Sequence, residues 1–370
     1  MPIELAAVEA ALAKVHDPEI KKPLVELGMI RDVQIIEGDK VSLAVDLTTP
    51  ACPLKGQIEE EVTAAAKSAG ATSVEITWGH KPLSRQVAQD DPCPGVKNIV
   101  LVISGKGGVG KSTVATNITL ALKRAGCRVG LLDADMYGPS IPTMLGVMGR
   151  PGADDKGRIR PLERFGVKLM SLGFLLESDK TAVIWRGPML QGALLQFLKD
   201  VEWGELDYLV LDLPPGTGDV ALTLSQRVKT TGAVVVTTPQ EVALADVYKS
   251  VAMLKKVSIP ILGVVENESY FLCDGCDKRH EIFGAGGGEK VAEFSEAPLL
   301  GQIPLDPAVR EWSDAGTPVV QAAPASSVAQ AFQSVAERMA DRCSVMNART
   351  APSLTIDRSG GTNKHLPIAR

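Results

Sequence analysis

The sequence predicts an α/β protein with a doubly wound, mostly parallel sheet, preceded by a smaller α/β domain. Three observations support this class. From Ile99 onward, short apolar runs alternate with helix-like segments, as in successive βαβ units. A glycine-rich stretch, Gly105–Thr113, lies between the first apolar run and the first helix of this series. The length of 370 residues exceeds one average core and indicates about two domains.

Composition limits the function classes. The chain is 45% hydrophobic and 22% charged, as expected for a globular protein, and its net charge is −5. A negative net charge argues against binding nucleic acid through bulk positive charge. The Met-Pro-Ile-Glu-Leu start lacks signal-peptide features, and the sequence has no apolar run of about 18 residues. We therefore predict a cytoplasmic protein that binds neither nucleic acid nor membrane.

Residues 1–80 are predicted to form the small domain. Its expected elements are an amphipathic helix beginning near Leu5, strands Ile30–Ile36 and Val41–Leu47, a helix over Lys55–Ser68 and a strand over Ser73–Trp78. Cys52 lies in a loop just before a helix. The helix N-terminus could lower the pKa of its thiol and make it reactive. A buried structural cysteine is the alternative reading.

Residues 81–96 are polar and rich in proline, which predicts a linker in which Cys93 is exposed. The second domain is predicted to span residues 97–343. Its last element is an amphipathic helix ending near Cys343, and residues 344–370 lack apolar periodicity and are predicted to be a disordered tail. The expected strands of this domain are Ile99–Ile103, Arg128–Leu132, Tyr208–Leu211, Ala233–Thr237 and Ile261–Val265.

The glycine-rich stretch fits the phosphate-loop pattern G-x-x-x-x-G-K-[ST]. Its backbone N–H groups and the following helix N-terminus suit phosphate oxygens. Lys111 is predicted to reach the β- and γ-phosphates, and the Ser112 hydroxyl to bind Mg²⁺. The residues predicted to hold ATP here are Gly105, Lys106, Gly107, Gly108, Val109, Gly110, Lys111, Ser112 and Thr113.

Carboxylates follow two of the predicted strands. Asp133 and Asp135 come after the second strand, and Asp212 ends the apolar run Leu209-Val210-Leu211. Carboxylates at strand ends beside a phosphate loop can position the attacking water or support the metal. We predict that Asp135 positions water, with Asp133 as the second candidate, and that Asp212 supports Mg²⁺.

Cys273 and Cys276 form a C-x-x-C pair, and two thiolates can ligate one metal centre from a tight turn. A four-coordinate site needs two more ligands, whereas the sequence near this pair offers only His280. Two copies of the chain would together supply four cysteines, which favours a metal or cluster shared across a dimer interface. Zinc bound within one chain, and a redox or structural pair, are the alternatives.

The early lysine of Lys106-Gly-Gly-Val-Gly-Lys111-Ser resembles the deviant Walker A class, which includes MinD, ParA and the nitrogenase iron protein. That resemblance implies that Lys106 acts in trans on the nucleotide of a partner subunit. It also implies that Asn267 recognises adenine.

The chain as a whole resembles the Mrp/ApbC family of P-loop iron–sulfur cluster carriers. Residues 1–80, with Asp17-Pro-Glu-Ile20 and Thr49-Pro-Ala-Cys-Pro53, resemble the small domain that bacterial members carry. The resemblance of the second domain rests on Gly105–Thr113, Asp133–Ser140, Trp185–Met189, Asp212–Asp219, Glu266-Asn267 and Cys273-x-x-Cys276.

The Mrp/ApbC resemblance implies a homodimer with a [4Fe–4S] cluster bridged by Cys273 and Cys276 of both subunits. It also implies slow ATP hydrolysis, cluster transfer to apo-proteins and contact with cluster assembly scaffolds. Glu268 departs from the family pattern, in which methionine is expected, and adds a carboxylate beside Asn267. Two alternatives are a positioning ATPase of the MinD/ParA kind and a non-enzymatic scaffold that binds ATP.

Overall fold

The computed structural model describes residues 3–49, 54–135, 138–175, 187–216, 218–273, 275–276 and 278–350. Within these residues two separate hydrophobic cores are present, one for each predicted domain. Among the described helices none combines the length and apolar character needed to cross a bilayer.

The small domain has a three-stranded sheet covered by two helices. Its elements are α1 (Leu5–Leu12), β1 (Ile30–Ile36), β2 (Lys40–Leu47), α2 (Lys55–Ser68) and β3 (Ser73–His80). Strand β2 is central, antiparallel to β1 and parallel to β3. Alternate residues of β2, such as Val41, Leu43 and Val45, are buried in the core with the apolar faces of both helices. The predicted elements of this domain are confirmed.

The elements of the second domain are β4 (Ile99–Ser104), α3 (Lys111–Arg124), β5 (Val129–Asp133), α4 (Ile141–Met144), β6 (Leu162–Arg164), β7 (Val167–Ser171), α5 (Gly187–Asp200), β8 (Tyr208–Asp212), α6 (Gly218–Arg227), β9 (Gly232–Thr237), α7 (Glu241–Lys256), β10 (Ile261–Glu266), β11 (Phe271–Leu272), β12 (Arg279–His280), α8 (Gly287–Ser295), β13 (Leu299–Gln302), α9 (Pro307–Asp314), α10 (Val319–Ala322) and α11 (Ser327–Thr350). Eight of the strands form one sheet with the order β13-β10-β9-β4-β8-β5-β7-β6. All neighbouring pairs in this sheet are parallel except β6 and β7.

The five predicted strands of this domain are confirmed as β4, β5, β8, β9 and β10. Every residue in them is buried, because helices cover both faces of a parallel sheet and its strands therefore read as continuous apolar runs. Strands β4, β8 and β5 are neighbours in the sheet. The phosphate loop and the two carboxylates that end β5 and β8 therefore meet at the carboxyl ends of these parallel strands. Strands β6, β7 and β13 were not predicted.

The segment between the domains is packed rather than exposed, and the expectation that Cys93 is exposed is wrong. Arg85 is buried, forms an ion pair with Asp91, and donates hydrogen bonds to the carbonyl oxygens of Val96 (3.1 Å) and Cys93 (3.0 Å). Arg85 also donates to the Lys229 carbonyl (3.2 Å), which holds the segment against the second domain. Burial raises the pKa of the Cys93 thiol to about 12.

Helix α11 continues to Thr350, so the predicted disordered tail does not begin at 344. The reason is that polar residues in its last turns make tertiary hydrogen bonds. Ser344 Oγ donates to the Thr48 carbonyl (3.3 Å), and Asn347 Nδ2 donates to the Leu83 carbonyl (2.9 Å). Residues 351–370, the rest of the predicted tail, lie outside the described residues.

The two domains contact each other through α11. Thr49 Oγ1 of the small domain donates to Asp341 Oδ1 (3.1 Å), and Lys22 Nζ donates to the Ala348 carbonyl (2.9 Å). Thr49 also lines a narrow cleft with Leu122 and Ala125, at the C-terminal end of α3. Helix α3 therefore reaches from the phosphate loop to the domain interface.

Candidate nucleotide and iron–sulfur site

The phosphate loop joins β4 to α3 and depends on its glycines. Gly108 and Gly110 have φ values of 82° and 75°, in the left-handed region that favours glycine. A Cβ at Gly105 would lie 2.3 Å from the Val247 backbone nitrogen, and one at Gly110 would lie 2.1 Å from Asn267 Nδ2. The loop thus packs closely on α7 and on the end of β10, and this packing fixes where α3 begins.

Lys111 lies at the centre of a cluster of carboxylates. Its Nζ is 2.6 Å from Asp212 Oδ1 and 3.4 Å from Asp135 Oδ2. The Ser112 hydroxyl donates to the other oxygen of Asp212. The structure therefore brings together Lys111, Ser112, Asp135 and Asp212, which the sequence predicted as a group.

Asp133 and Asp212 are paired neighbours on adjacent strands, and both are fully buried. Burial raises the pKa of Asp133, and the nearby charge of Asp212 raises it further. Burial also raises the pKa of Asp212, although the Lys111 ammonium opposes that shift. Asp133 accepts hydrogen bonds from the Asp135 backbone N–H (3.1 Å) and from Ser171 Oγ (3.0 Å). Asp133 is thus a buried support for Asp135.

Ser171 is a site residue that sequence reasoning missed. It ends β7, a strand that was not predicted, and its hydroxyl also accepts a hydrogen bond from the Gly173 backbone N–H (2.9 Å). A polar residue at the end of an apolar run is the only signal that could have identified it.

Lys106 is half-buried in the loop, and Ser104 Oγ donates to its carbonyl oxygen (2.9 Å). Its ammonium has no ion-pair partner in the part of the chain that the structure describes. Unlike Lys111, it is therefore not held by a carboxylate of the described residues.

Asn267 lies just past the end of β10, and its Nδ2 donates to the Val109 carbonyl of the phosphate loop (3.0 Å). The preceding residue, Glu266, belongs to the family motif, but the sequence predicted no role for its side chain. Its buried carboxylate accepts hydrogen bonds from Ser269 Oγ (2.5 Å) and Gln302 Nε2 (3.0 Å) and from the Gly288 backbone N–H at the start of α8. Glu266 therefore connects the end of β10, next to Asn267, to Ser269, β13 and the start of α8.

A cavity of about 340 Å³ opens beside the phosphate loop. Gly110 and Thr113 of the phosphate loop line it, together with Asn267 and Glu268. The rest of the lining includes residues of α9 and of the segment before it. A cavity of this size fits a small organic ligand.

Cys273 and Cys276 lie at the tip of a hairpin formed by β11 and β12, which follows β10 outside the main sheet. The Cys276 backbone N–H donates to the Cys273 carbonyl (3.3 Å), and the Cys273 N–H donates to the Lys278 carbonyl (3.1 Å). Cys273 is half-buried and Cys276 is exposed. The hairpin thus presents both residues of the C-x-x-C pair at the protein surface.

The described residues contain no group of three or more histidine, cysteine and acidic side chains arranged to hold a metal ion. His280 is exposed on β12 and opposes Phe271 in the hairpin register. The buried Cys93, Cys127 and Cys343 lie in the core, where burial raises the pKa of each thiol. Cys52, Trp185 and Arg186 lie outside the described residues.

Comparison with known families gives two matches in the order of the two domains. Residues 5–78 match the family described as iron–sulfur cluster assembly protein. Residues 95–340 match the family described as NUBPL iron-transfer P-loop NTPase. The second match includes the phosphate loop, the carboxylates at the ends of β5 and β8 and the cysteine hairpin.

Two curated relatives match this chain over nearly their whole length. An iron–sulfur cluster carrier protein of Deinococcus radiodurans is 50% identical over 94% of this chain and 97% of its own. One of Escherichia coli strain K12 is 43% identical over 90% of this chain and 91% of its own. Among solved structures, a nucleotide-binding protein of Archaeoglobus fulgidus in complex with ADP is 40% identical, with a TM-score of 0.53 over 60% of this chain and 87% of its own.

Proposed function

This chain belongs to the NUBPL-type family of iron-transfer P-loop NTPases and is an iron–sulfur cluster carrier, and we propose that it works as an ATP-hydrolysing homodimer. In this proposal the cargo is a [4Fe–4S] cluster held between two subunits and delivered to apo-proteins. The observation that carries the proposal is the surface hairpin with Cys273 and Cys276, which lies a few residues beyond the wall of the nucleotide cavity.

The number of ligands supports a cluster shared by two subunits. A [4Fe–4S] cluster is held by four cysteine thiolates, and this hairpin offers two. The buried cysteines are poor alternatives, because a thiol with a raised pKa does not readily give the thiolate that binds iron. Two hairpins facing each other complete the set without any further residue.

The phosphate-loop cluster supports ATP binding and hydrolysis. We assign to Lys111 the contact with the β- and γ-phosphates, and to Asp135, 3.4 Å from the Lys111 ammonium, the orientation of the attacking water. Ser112 Oγ and Asp212 are hard oxygen donors that fit Mg²⁺, which when bound neutralises charge on the phosphate oxygens. Lys106 has no carboxylate partner among the described residues of its own subunit. It is thus available to stabilise the phosphoryl-transfer charge in the partner's site.

The small domain, which matches the iron–sulfur cluster assembly family, is our candidate for partner recognition. It contacts α11 through Thr49 and Lys22, so it stays docked on the nucleotide domain in this conformation. We assign to it the recognition of apo-proteins and cluster assembly scaffolds. A cytoplasmic location fits this assignment, since thiols remain reduced there and available for the cluster.

The cluster assignment is tested by anaerobic reconstitution with iron and sulfide. We expect about two irons per chain, half of a shared four-iron cluster, and a dimer in sedimentation experiments. The Cys273→Ala, Cys276→Ala double variant should lose both the iron and the brown colour. Cys127→Ala is the control, because Cys127 is buried in the core, and it should keep both. Full iron binding by the double variant would remove the hairpin from the site.

The nucleotide assignment is tested by ATP turnover. Lys111→Ala should abolish hydrolysis, because it removes the charge beside the phosphate loop. Lys106→Ala should still bind ATP but lose turnover by about 10³-fold or more, the effect of a charge supplied in trans. Lys156→Ala changes an exposed lysine and should have no effect. In a mixture of Lys106→Ala and Lys111→Ala subunits, turnover should recover, because the Lys106→Ala subunit keeps an intact Lys111 and receives Lys106 from its partner. No recovery of turnover in the mixed dimers would exclude action in trans.

A further inference from the structure

Three carboxylates line the cavity beside the phosphate loop, namely Glu268, Asp306 and Asp314, and the proposed function uses none of them. Thr113 follows Ser112 on the first turn of α3 and lines the same cavity as Glu268. The space is therefore continuous with the phosphate loop. If the loop binds a nucleotide as proposed above, the ribose and base enter this cavity.

Glu268 has an unusual backbone conformation. Its φ of 53° lies in the left-handed region, where glycine would be tolerated at lower cost. Its two neighbours hold this conformation, because the Asn267 N–H donates to the Thr237 carbonyl (2.8 Å) and the Ser269 N–H to the Ile303 carbonyl (2.9 Å). The fold thus keeps a carboxylate at a strained position on the cavity wall, which indicates a functional role.

The other carboxylates of the cavity are already engaged. Asp306 caps α9 by accepting a hydrogen bond from the Ala308 N–H (2.8 Å), and Asp314 lies 3.4 Å from the Arg310 guanidinium. Glu268 has no hydrogen-bond or ion-pair partner among the residues the structure describes. Burial raises its pKa, and no neighbouring charge offsets the effect. Its two oxygens are therefore acceptors that a ligand can satisfy.

We propose that Glu268 is a base-specificity residue that allows this site to take guanine nucleotides as well as adenine nucleotides. Guanine presents two adjacent donors, N1–H and the N2 amino group, which match the two oxygens of one carboxylate. Adenine presents one amino group beside the N1 lone pair, so the carboxylate gains one hydrogen bond and meets one repulsive contact. Hydrogen bonds to a charged acceptor are stronger than neutral ones, which makes the difference measurable.

The test is titration calorimetry of the full-length protein with the Mg²⁺ complexes of ATP, GTP and ITP. The wild type should bind GTP within about 10-fold of ATP or more tightly. It should bind ITP more weakly than GTP, because hypoxanthine lacks the 2-amino group. Glu268→Met and Glu268→Gln should each weaken GTP binding by about 10- to 100-fold and leave ATP binding within about 3-fold.

Two further variants separate recognition from folding. Glu268→Gly removes the carboxylate and relieves the left-handed backbone, so it should fold at least as stably as the wild type while losing GTP affinity. Asp314→Asn changes a carboxylate of the same cavity that already has a partner, and should leave the ratio of GTP to ATP affinity unchanged.

The outcomes distinguish this inference from the proposed function. Wild-type protein that binds ATP but binds GTP more than 100-fold more weakly would overturn the role of Glu268 and leave the ATPase intact. Unchanged GTP binding in all three Glu268 variants would also overturn it. Failure to bind either nucleotide would instead overturn the proposed nucleotide site, and this inference with it.

Discussion

Replacing Asp341 with asparagine should stabilise the protein at high pH. Asp341 lies on α11 at the domain interface, and its side chain accepts the hydrogen bond of Thr49. Burial raises its pKa from 3.8 to about 7, and the negative charges of Glu19, Glu337 and Asp17 add to the shift. A difference of about three pKa units corresponds to about 4 kcal/mol.

The sign of the pH dependence follows from proton binding. A carboxyl with a higher pKa in the folded chain than in the unfolded chain holds its proton more tightly when folded. Its contribution to the free energy of unfolding is complete below about pH 4 and is lost as the pH rises through about 7. The amide that Asp341→Asn introduces stays neutral at every pH and keeps an oxygen that can accept from Thr49.

The assay is urea unfolding under reducing, anaerobic conditions at pH 5, 7 and 8.5. Asp341→Asn should exceed the wild type by about 1.5 kcal/mol at pH 5 and by up to about 4 kcal/mol at pH 8.5. Asp155→Asn, which changes an exposed carboxylate, should differ from the wild type by less than about 0.5 kcal/mol throughout. The reasoning fails if the Asp341→Asn curve follows the wild-type pH profile.

Two further predictions concern the packing that supports the nucleotide site. Gly110→Ala should lower the free energy of unfolding by at least about 1–2 kcal/mol and weaken ATP binding, because residue 110 has a left-handed φ. Gly152→Ala, whose Cβ meets open space at an ordinary φ outside the phosphate loop, is the control for thermal unfolding and ATP binding. Arg85→Met should cost about 3–5 kcal/mol by leaving Asp91 buried without its partner, and the double variant Arg85→Met, Asp91→Leu should regain most of that loss in urea unfolding. A double variant no more stable than the single one would contradict the second prediction.

The sequence predicts the structure correctly where a local residue pattern determines the element. Buried parallel strands are continuous apolar runs, and those ending at Asp133 and Asp212 also carry the carboxylates of the site. The phosphate loop could be predicted for the same reason, since its glycines and Lys111 are contiguous. The meeting of Lys111 with Asp212 then follows from the adjacency of β4 and β8.

Features that depend on distant partners could not be predicted. Ser171, at the end of β7, belongs to the site because it donates a hydrogen bond to Asp133, which lies 38 residues earlier in the sequence. Asn347 resembled a tail residue because its partner, the Leu83 carbonyl, lies 264 positions earlier. The polar segment around Cys93 is buried because Arg85 also donates to the Lys229 carbonyl, 144 residues away. None of these partners is marked by spacing or composition.

Helix α3 has a mechanical consequence for the carrier. Its 14 residues begin at the lysine of the phosphate loop and end beside the residue that anchors the small domain, a span of about 21 Å. Leu122 and Ala125 at its far end line the cleft that Thr49 closes. A tilt of a few degrees at the phosphate end displaces the far end by about 1 Å, and close-packed side chains there must follow. Helix α3 thus couples the state of the phosphate loop to the position of the small domain, to which we assign acceptor recognition.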